Sequence, residues 1–460
     1  MPYKQLCLYS VFGTLEKLNL PIPIKRKRER SMKLNKITLA IAAAGSLAAT
    51  PYVTAAGFQV TNHSASGLGR ANAGDAVIAD NSSVIANNPA AIMLLDQWEI
   101  SFGTNAVAPN TDVTDVTLNS ALSLEDDEDV TNTSYVPYLY LVRPVNDQLS
   151  FGFSVYSDFG TNVEYDDEFN EQASGVTGLF AGYTKIWSIN YSGTAGYRVN
   201  ESLSIGGSVK ALNGGGTFER PGPDAGAGES GVDFEGSGWT FGWDIGAVYE
   251  LSEAHRFGLS YKSAMDLEVD AHGSSTFSTY HPTYGYLSYD IDNLDISLPS
   301  IAEFSGYHEL NDRLAVHYSA MYIGWGVFED LVFNLDSDTY TEYTKEYNWN
   351  DSWRFSLGST YSLNEKITLR AGISYDESPI SEDDRLFSIV DSNRMWYSTG
   401  ATWQVNENAS VDLGLTYLVG EEIEITESID TDSDGTSDYT LEGTSETTAW
   451  LAGLQVNYKF

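Results

Sequence analysis

The C-terminal segment of the chain alternates between apolar and polar residues up to its last residue, Phe460. Counting back from Phe460, one face of an extended strand would carry Tyr458, Val456, Leu454, Ala452 and Trp450, and the other face Lys459, Asn457, Gln455 and Gly453. An apolar outer face, a polar inner face and a terminal aromatic residue are typical of the closing strand of an outer-membrane β-barrel. Because any half-buried strand alternates, the fold depends on whether the rest of the chain repeats this pattern.

Two kinds of connection separate the repeated strands, and they alternate strictly along the chain. The short connections are 144–147, 199–201, 252–254, 310–313, 364–365 and 406–408, and the long acidic or glycine-rich ones are 109–133, 158–184, 216–236, 270–293, 330–350, 378–392 and 425–444. This order predicts an all-β fold, a fourteen-stranded antiparallel transmembrane barrel over 98–460. In such barrels the short turns face the periplasm and the long loops face outward.

The polar face of the predicted strands carries the few charges of the barrel wall. With apolar residues such as Leu369 and Ile373 facing lipid, the lumen receives Arg354, Arg370, Arg394, Asp376 and Asp412. A charge on the lipid face near the midplane would cost roughly 2–4 kcal/mol. We therefore expect a polar lumen cross-linked by ion pairs.

The residues before the barrel divide into three segments. Residues 56–97 lack strand alternation and predict a compact plug of short helices and turns, a hatch. Residues 32–55 predict a secretory signal peptide, with an apolar run too short for a membrane helix and small residues before Ala56. Residues 1–31 are interpreted as a non-native upstream extension. The predicted location is the outer membrane of a Gram-negative bacterium.

Composition excludes several classes of function. The 25 basic and 64 acidic residues give a net charge of −39, which disfavours binding to nucleic-acid phosphates. The only cysteine, Cys7, precedes the predicted mature start, which excludes disulfides, iron–sulfur clusters and thiol catalysis there. The histidines are His63, His255, His272, His281, His308 and His317, and none forms a local nucleophile–base motif with a serine. We expect no enzyme activity and no catalytic residue.

One outer loop contains a possible calcium site. Asp430, Asp432, Asp434 and Asp438, with Gly435, match the start of a calcium-binding loop, but position twelve is a leucine instead of glutamate. An acidic loop also produces such a match by chance. We expect no other cofactor.

Ordered motifs along the chain carry a family resemblance. They are 56–59 (AGFQ), 66–71 (SGLGRA), 78–80 (IAD), 88–90 (NPA), 298–299 (LP), 323–325 (IGW), 370–379 (RAGISYDESP) and the block 389–396. From Ala56 to Phe460 the chain resembles the FadL family, outer-membrane transporters of long-chain fatty acids and other hydrophobic compounds. One departure is segment 221–236, which is shorter than the family loop that helps to form an outer capture groove.

The resemblance implies a hatch-plugged barrel and a set of functional residues. It places Asn88, Pro89 and Ala90 in the hatch beside a kink in the third strand, with Gly160 as the kink glycine. The kink would open a lateral exit through the wall. Asp376 joins this gating set.

The same resemblance places a basic pair, Arg220 and Lys345, at the carboxylate of a bound fatty acid. A cation fixes the orientation of such a ligand, whose tail contributes about 0.8 kcal/mol per buried CH2. Two plainer interpretations stay open: Asn88-Pro89 is also an ordinary turn signal, and the two basic residues could be solvated loop charges.

The predicted function is passive, hatch-gated uptake of long-chain fatty acids with lateral exit at the third strand. The alternatives are uptake of neutral aromatic hydrocarbons or alkanes, a general porin, an outer-membrane hydrolase and an adhesin. The expected partners are the hydrophobic ligand, outer-membrane lipids and, through the C-terminal strand, the barrel assembly machinery. We expect a monomer.

Overall fold

The computed structural model describes residues 57–222, 230–281, 285–430 and 436–460. The predicted upstream extension, the signal peptide and the mature start at Ala56 lie outside these residues. Within them, no helix is long and apolar enough to cross a membrane.

Fourteen antiparallel strands form a closed barrel, as the alternation of connections predicted. They are β1 (Glu99–Leu118), β2 (Ser134–Asn146), β3 (Leu149–Tyr156), β4 (Tyr183–Asn200), β5 (Leu203–Pro221), β6 (Ser230–Ser252), β7 (His255–Lys262), β8 (Ile301–Asn311), β9 (Leu314–Ile323), β10 (Ser352–Asn364), β11 (Ile367–Asp376), β12 (Arg394–Asn406), β13 (Ala409–Gly420) and β14 (Tyr439–Lys459). Each pairs with its neighbours in the chain, and β1 pairs with β14 from Glu99–Lys459 to Leu118–Leu441. This last pairing joins the first and last strands and closes the barrel.

The alternation predicted for the wall is confirmed. On β11, Leu369 and Ile373 are 40% and 46% exposed on the outside, whereas Arg370 is 6% exposed on the inside. At the chain terminus, the ring of Phe460 stacks on Trp98 at 4.3 Å between centroids. The outer surface is therefore an apolar band suited to lipid, and the lumen is polar.

The predicted long loops contain far more strand than expected. Further strands lie at Leu122–Ser123, Gly160–Glu164, Met265–Ala271, Thr276–His281, Gly285–Leu298, Asp330–Leu335, Glu342–Glu346 and Ile423–Ile429, and β1, β5, β6 and β14 themselves run into the predicted loop regions. The extra segments pair with one another and with the wall strands, for example Asp330–Glu346 and Ile423–Ser445. The error arose because acidic and glycine-rich composition suggested loops, while backbone pairing above the membrane does not require an apolar face.

The hatch lies within the barrel. Its helical turns are Ala65–Leu68, Ser82–Ala86 and Pro89–Leu94; the other short helices, in the outer connections, are Asp167–Asn170, Gln172–Gly175, Thr177–Leu179, Trp325–Val327 and Glu382–Asp384. The backbone of the hatch bonds to side chains of the wall: Gly74 N–H donates to Ser319 Oγ at 2.8 Å and Ala65 N–H donates to Gln455 Oε1 at 3.1 Å. These bonds satisfy the polar groups of a plug that has few regular elements of its own.

Candidate functional site

The predicted basic pair meets on one cavity at the outer end of the barrel. Arg220, at the end of β5, and Lys345, on Glu342–Glu346, both line a cavity of about 80 Å³. The guanidinium of Arg220 donates to the carbonyl of Tyr183 at 2.8 Å and to Thr184 Oγ1 at 2.6 Å. The two cations, far apart in sequence, thus line the same cavity from two different outer strands.

Sequence reasoning missed the acidic member of this site, Glu427. Its carboxylate lies 2.6 Å from Lys345 Nζ and also accepts the N–H of Phe387 at 3.1 Å. Burial alone would lower the pKa of Lys345, but Glu427 and then Tyr343 outweigh it and raise that pKa above its usual value. The alternation of residues along Ile423–Ile429 could have indicated that Glu427 is buried, because Glu427 lies on the same face of this strand as Ile423 and Ile425.

Two cations and one carboxylate are among the described residues that line the cavity. They are Arg220, Lys345 and Glu427. The other lining residues are aromatic or aliphatic, with one serine: Leu179, Phe180, Phe218, Val232, Leu331, Phe333, Tyr343, Tyr347, Ser388 and Ile429. The two cations suit an anionic head group, and the apolar walls suit a hydrocarbon tail.

A chain of aromatic rings runs from this cavity toward the third strand. Tyr347 lines the cavity and contacts Phe328 at 4.9 Å between centroids. Phe328 contacts Phe58 of the hatch at 5.2 Å, and Phe58 contacts Phe159 of the wall at 6.1 Å. All four rings belong to one buried cluster. A hatch residue therefore occupies the middle of the apolar path between the cavity and the wall.

The third strand is broken where this path reaches the wall. Three residues, 157–159, separate Tyr156 from Gly160, whereas only two separate their partners Asn190 and Trp187 on β4. An extra residue of this kind is a bulge, which bends the strand. Gly160, the predicted kink glycine, follows the break, and its φ is not positive.

The wall has a gap in its backbone pairing beside this bulge. On the β2 side, pairing stops at Leu139–Val155 and resumes only at the single bridge between Thr131 and Val163. Hatch backbone hydrogen-bonds to the part of the third strand that β2 leaves unpaired. Val60 N–H donates to Asp158 O at 2.6 Å, and Gly160 N–H donates to Phe58 O at 2.8 Å.

The side chain of Asp158, in the bulge, contacts basic residues inside the barrel. It is 2.8 Å from Lys262 Nζ and 3.5 Å from Lys210 Nζ, and His63 Nε2 of the hatch lies at 3.2 Å. Lys210 also pairs with Asp244 at 2.9 Å. Removing one member of such a buried cluster typically costs 3–5 kcal/mol, because its partner charges stay buried. No sequence motif marks this cluster, because its members come from five separate segments.

The Asn88-Pro89-Ala90 segment lies against other strands than expected. Asn88 caps the turn Pro89–Leu94 by accepting from Ala90 N–H at 2.9 Å, and its amide donates to Ala247 O and Leu259 O at 3.2 and 3.4 Å. Its nearest wall residues are thus on β6 and β7, and the bulge of the third strand is contacted by residues 58–63 instead. On β5 and β6, the absent side chains of Gly206 and Gly246 leave room for this segment. Its gating role stays a prediction.

The predicted lumen arginines are buried, and two of them form ion pairs, as expected of a polar lumen. Arg370 pairs with Asp80 of the hatch at 2.7 Å and lies 3.8 Å from Asp412. Arg354 donates to Thr61 Oγ1 and stacks on Trp396, while Arg394 pairs with Asp391. Asp376 lies between Arg354 and Arg394 in the strand register. Among the described residues no ion-pair contact joins Asp376 to either arginine.

The possible calcium loop is only partly described. Asp430 and Asp438 lie next to the strand ends Ile423–Ile429 and Tyr439–Lys459, whereas Asp432, Asp434 and Gly435 lie outside the described residues. No group of three or more candidate metal ligands occurs in the described part of the chain. The calcium site stays a prediction.

The fold and its buried plug define a class of protein, the hatch-containing outer-membrane barrels. A family model described as "Outer membrane protein transport protein (OMPP1/FadL/TodX)" matches residues 46–460. The chain belongs to this family of outer-membrane transport proteins, and it is not an enzyme.

Named relatives agree with this assignment. A long-chain fatty acid transport protein of Escherichia coli O6:H1 is 33% identical over 439 residues, which is 88% of this chain and 94% of that protein. Outer membrane protein P1 of Haemophilus influenzae is 34% identical over 475 residues, covering 93% of this chain and 100% of that protein.

Solved structures share the fold. A Pseudomonas aeruginosa FadL homologue superposes with a TM-score of 0.74 at 21% identity, over 88% of this chain and 100% of that one. The Pseudomonas putida toluene transporter TodX superposes with a TM-score of 0.66 at 16% identity, over 88% of this chain and 100% of that one. At these identities the likeness concerns the architecture.

Proposed function

We propose that this protein takes up long-chain fatty acids across the outer membrane, with the carboxylate held at Arg220 and Lys345. The observation that carries the proposal is the aromatic-walled cavity on which these two cations meet. An anion with an apolar tail matches both features. The named fatty-acid transport relative, at 33% identity, supports the same ligand class.

The tail would provide most of the binding free energy. Each buried CH2 contributes about 0.8 kcal/mol, so a long chain binds strongly wherever apolar volume is available. The cavity of about 80 Å³ is far smaller than the roughly 300–1,000 Å³ of typical ligand pockets. The ligand must therefore displace rings of the aromatic cluster as it enters.

The route onward follows those rings. Phe58 stands between Phe328 and Phe159, so displacement of the hatch segment 58–60 would join the cavity to the gap beside the third strand. We infer passive transport in which the ligand's own binding favours the displaced hatch. The ligand would then leave sideways into the membrane, between β2 and β3.

Uptake of a labelled long-chain fatty acid tests the head-group site. In cells lacking their own transporter, the wild-type protein should restore uptake, and Arg220→Ala combined with Lys345→Ala should reduce it by about tenfold or more. Losing hydrogen bonds to charged groups costs about 1.5–3 kcal/mol each, which sets this magnitude. Lys366→Ala, a change of exposed lysine at a short turn, is the matched control and should leave uptake unchanged.

The outcomes separate the ligand classes. Undiminished uptake in the double variant would support the transport function but rule out Arg220 and Lys345 as the site that binds the carboxylate. No fatty-acid uptake by correctly folded wild-type protein would favour the alternative, a neutral aromatic hydrocarbon or alkane. Labelled toluene is the probe for that case, since transporters of toluene share the fold.

A further inference from the structure

Two histidines meet across neighbouring strands at the short-turn end of the barrel, far from the ligand cavity. His255 is the first residue of β7, His308 is near the end of β8, and their Nδ1 atoms are 3.1 Å apart. Glu309 N–H donates to Ala254 O at 2.8 Å, so the next pair along the strands, His308 and His255, has no backbone hydrogen bonds between its two residues. Such pairs have Cα atoms only about 4.5 Å apart, and their side chains lie closest.

The two imidazoles lie on the outer face of the wall. His308 has the same parity on β8 as Phe304, which is 43% exposed to the lipid side. The rings of Phe257 and Tyr318 flank His308 at centroid distances of 5.4 and 5.8 Å. Both histidines are half-buried, so aromatic rings restrict their rotation while one side stays accessible from the periplasmic interface.

The geometry points to a two-histidine metal site: we propose that His255 and His308 bind one Zn²⁺, or a similar imidazole-preferring ion, and thereby link β7 to β8. Two nitrogens at about 2.0–2.1 Å from a tetrahedral Zn²⁺ stand about 3.3 Å apart, close to the observed separation. Imidazole nitrogen is a favoured ligand of zinc, copper and nickel ions. Because the described residues hold no group of three or more candidate ligands, water would complete the coordination.

The link would act on the strands that carry the hatch. On β7, a side-chain carbon at Gly258 would come within 2.2 Å of Ala76 O, so hatch backbone lies directly on this strand. On β8, Ser305 Oγ accepts the N–H of Ala76 at 3.2 Å. A metal ion at His255 and His308 would fix the register of both strands three residues below these contacts. The net charge of −39 would also raise the local concentration of divalent cations.

Calorimetric titration of Zn²⁺ into the purified full-length protein tests the site. The protein carries no histidine tag, and millimolar Ca²⁺ is present to occupy carboxylate clusters. The wild type should bind one Zn²⁺ per chain in this assay, and His308→Gln should weaken binding more than tenfold, since loss of an outer partner alone costs about 10–100-fold.

The control is His272→Gln, because His272 contacts Ser237 Oγ at 2.9 Å on an outer segment and takes no part in the pair. It should bind Zn²⁺ as the wild type does. Chemical acylation of histidines read by mass spectrometry gives a second measure: Zn²⁺ should protect His255 and His308 and leave His272 reactive. Absence of stoichiometric binding, or equal affinity in wild type and His308→Gln, would overturn the proposal and leave only the contact between the two rings. A gel-mobility shift on heating verifies that each variant is folded.

Discussion

Oxidation of a Gln59→Cys/Phe159→Cys variant is expected to reduce fatty-acid uptake to background, and reduction is expected to restore it. The two residues form an isolated antiparallel bridge between hatch and wall. The flanking bonds Val60–Asp158 and Gly160–Phe58 make it a non-hydrogen-bonded pair, with Cα atoms about 4.5 Å apart. Disulfides span Cα separations of 4.4–6.8 Å, so the bond can form without moving the backbone.

The effect should be close to complete because the disulfide holds Phe58 in the apolar path. With residue 59 bonded to residue 159, the hatch segment cannot leave the gap between β2 and β3. The chain suits the experiment, since its only native cysteine, Cys7, precedes the predicted mature start. Uptake is measured on oxidised and reduced cells, with the cross-linked fraction read by mass spectrometry.

Single-cysteine variants are the necessary controls. Phe159 is buried, and loss of its ring should cost about 3–5 kcal/mol of packing, so Phe159→Cys alone sets the reference for uptake. The redox dependence must appear in the double variant only. A fully cross-linked protein that transports as fast as its reduced form would rule out displacement of this hatch segment as part of the route.

Gly246→Ala is expected to displace the Asn88 segment and to disturb transport strongly. A side-chain carbon at residue 246 would lie 1.9 Å from Asn88 Oδ1 and 2.8 Å from its Cγ. Asn88 would have to move, losing its cap of the turn Pro89–Leu94 and its 2.7 Å bond to Ala76 O. The lost cap costs about 1 kcal/mol and each unsatisfied buried polar group about 1–3 kcal/mol.

The matched control for this change lies on the adjacent strand. Gly207 is next to Gly206, the cross-strand partner of Gly246, but it faces outward and an added carbon would meet only Asp244 O at 3.5 Å. Gly207→Ala should therefore transport normally. Fatty-acid uptake and entry of a bulky antibiotic are measured together, because a displaced hatch should lower the first and raise the second. Equal behaviour of the two variants would contradict a functional role for the Asn88 contacts.

The wall of the barrel was predictable because its physics is local. Each strand must present apolar residues to lipid at every second position, so the period of two is visible in segments such as Ile367–Asp376. The closing strand was recognisable for the same reason, and β14 pairs with β1 as expected. The extent of the outer strands was not predictable, because pairing outside the membrane leaves no lipid-facing pattern.

The candidate site was predictable only in part. Arg220 and Lys345 came from family resemblance, and spatial proximity then added Glu427, which binds Lys345 and halves the positive charge of the pair. The position of Asn88 depends on where the wall has glycines, such as Gly246, whose missing side chain leaves room for the hatch. No local sequence pattern indicates this fit, because the hatch residue and the wall glycine are far apart in the chain.

The sequence by itself therefore determined the class of fold, the faces of the strands and the kind of ligand compatible with the family. Only the tertiary structure decided that Phe58–Val60 fills the gap in the wall, that Asp158 gathers Lys210 and Lys262, and that His255 meets His308. The physical reason is that the two faces of a strand follow from the two-residue period of its own sequence. These contacts depend instead on the register between strands and on how the hatch packs against the closed wall.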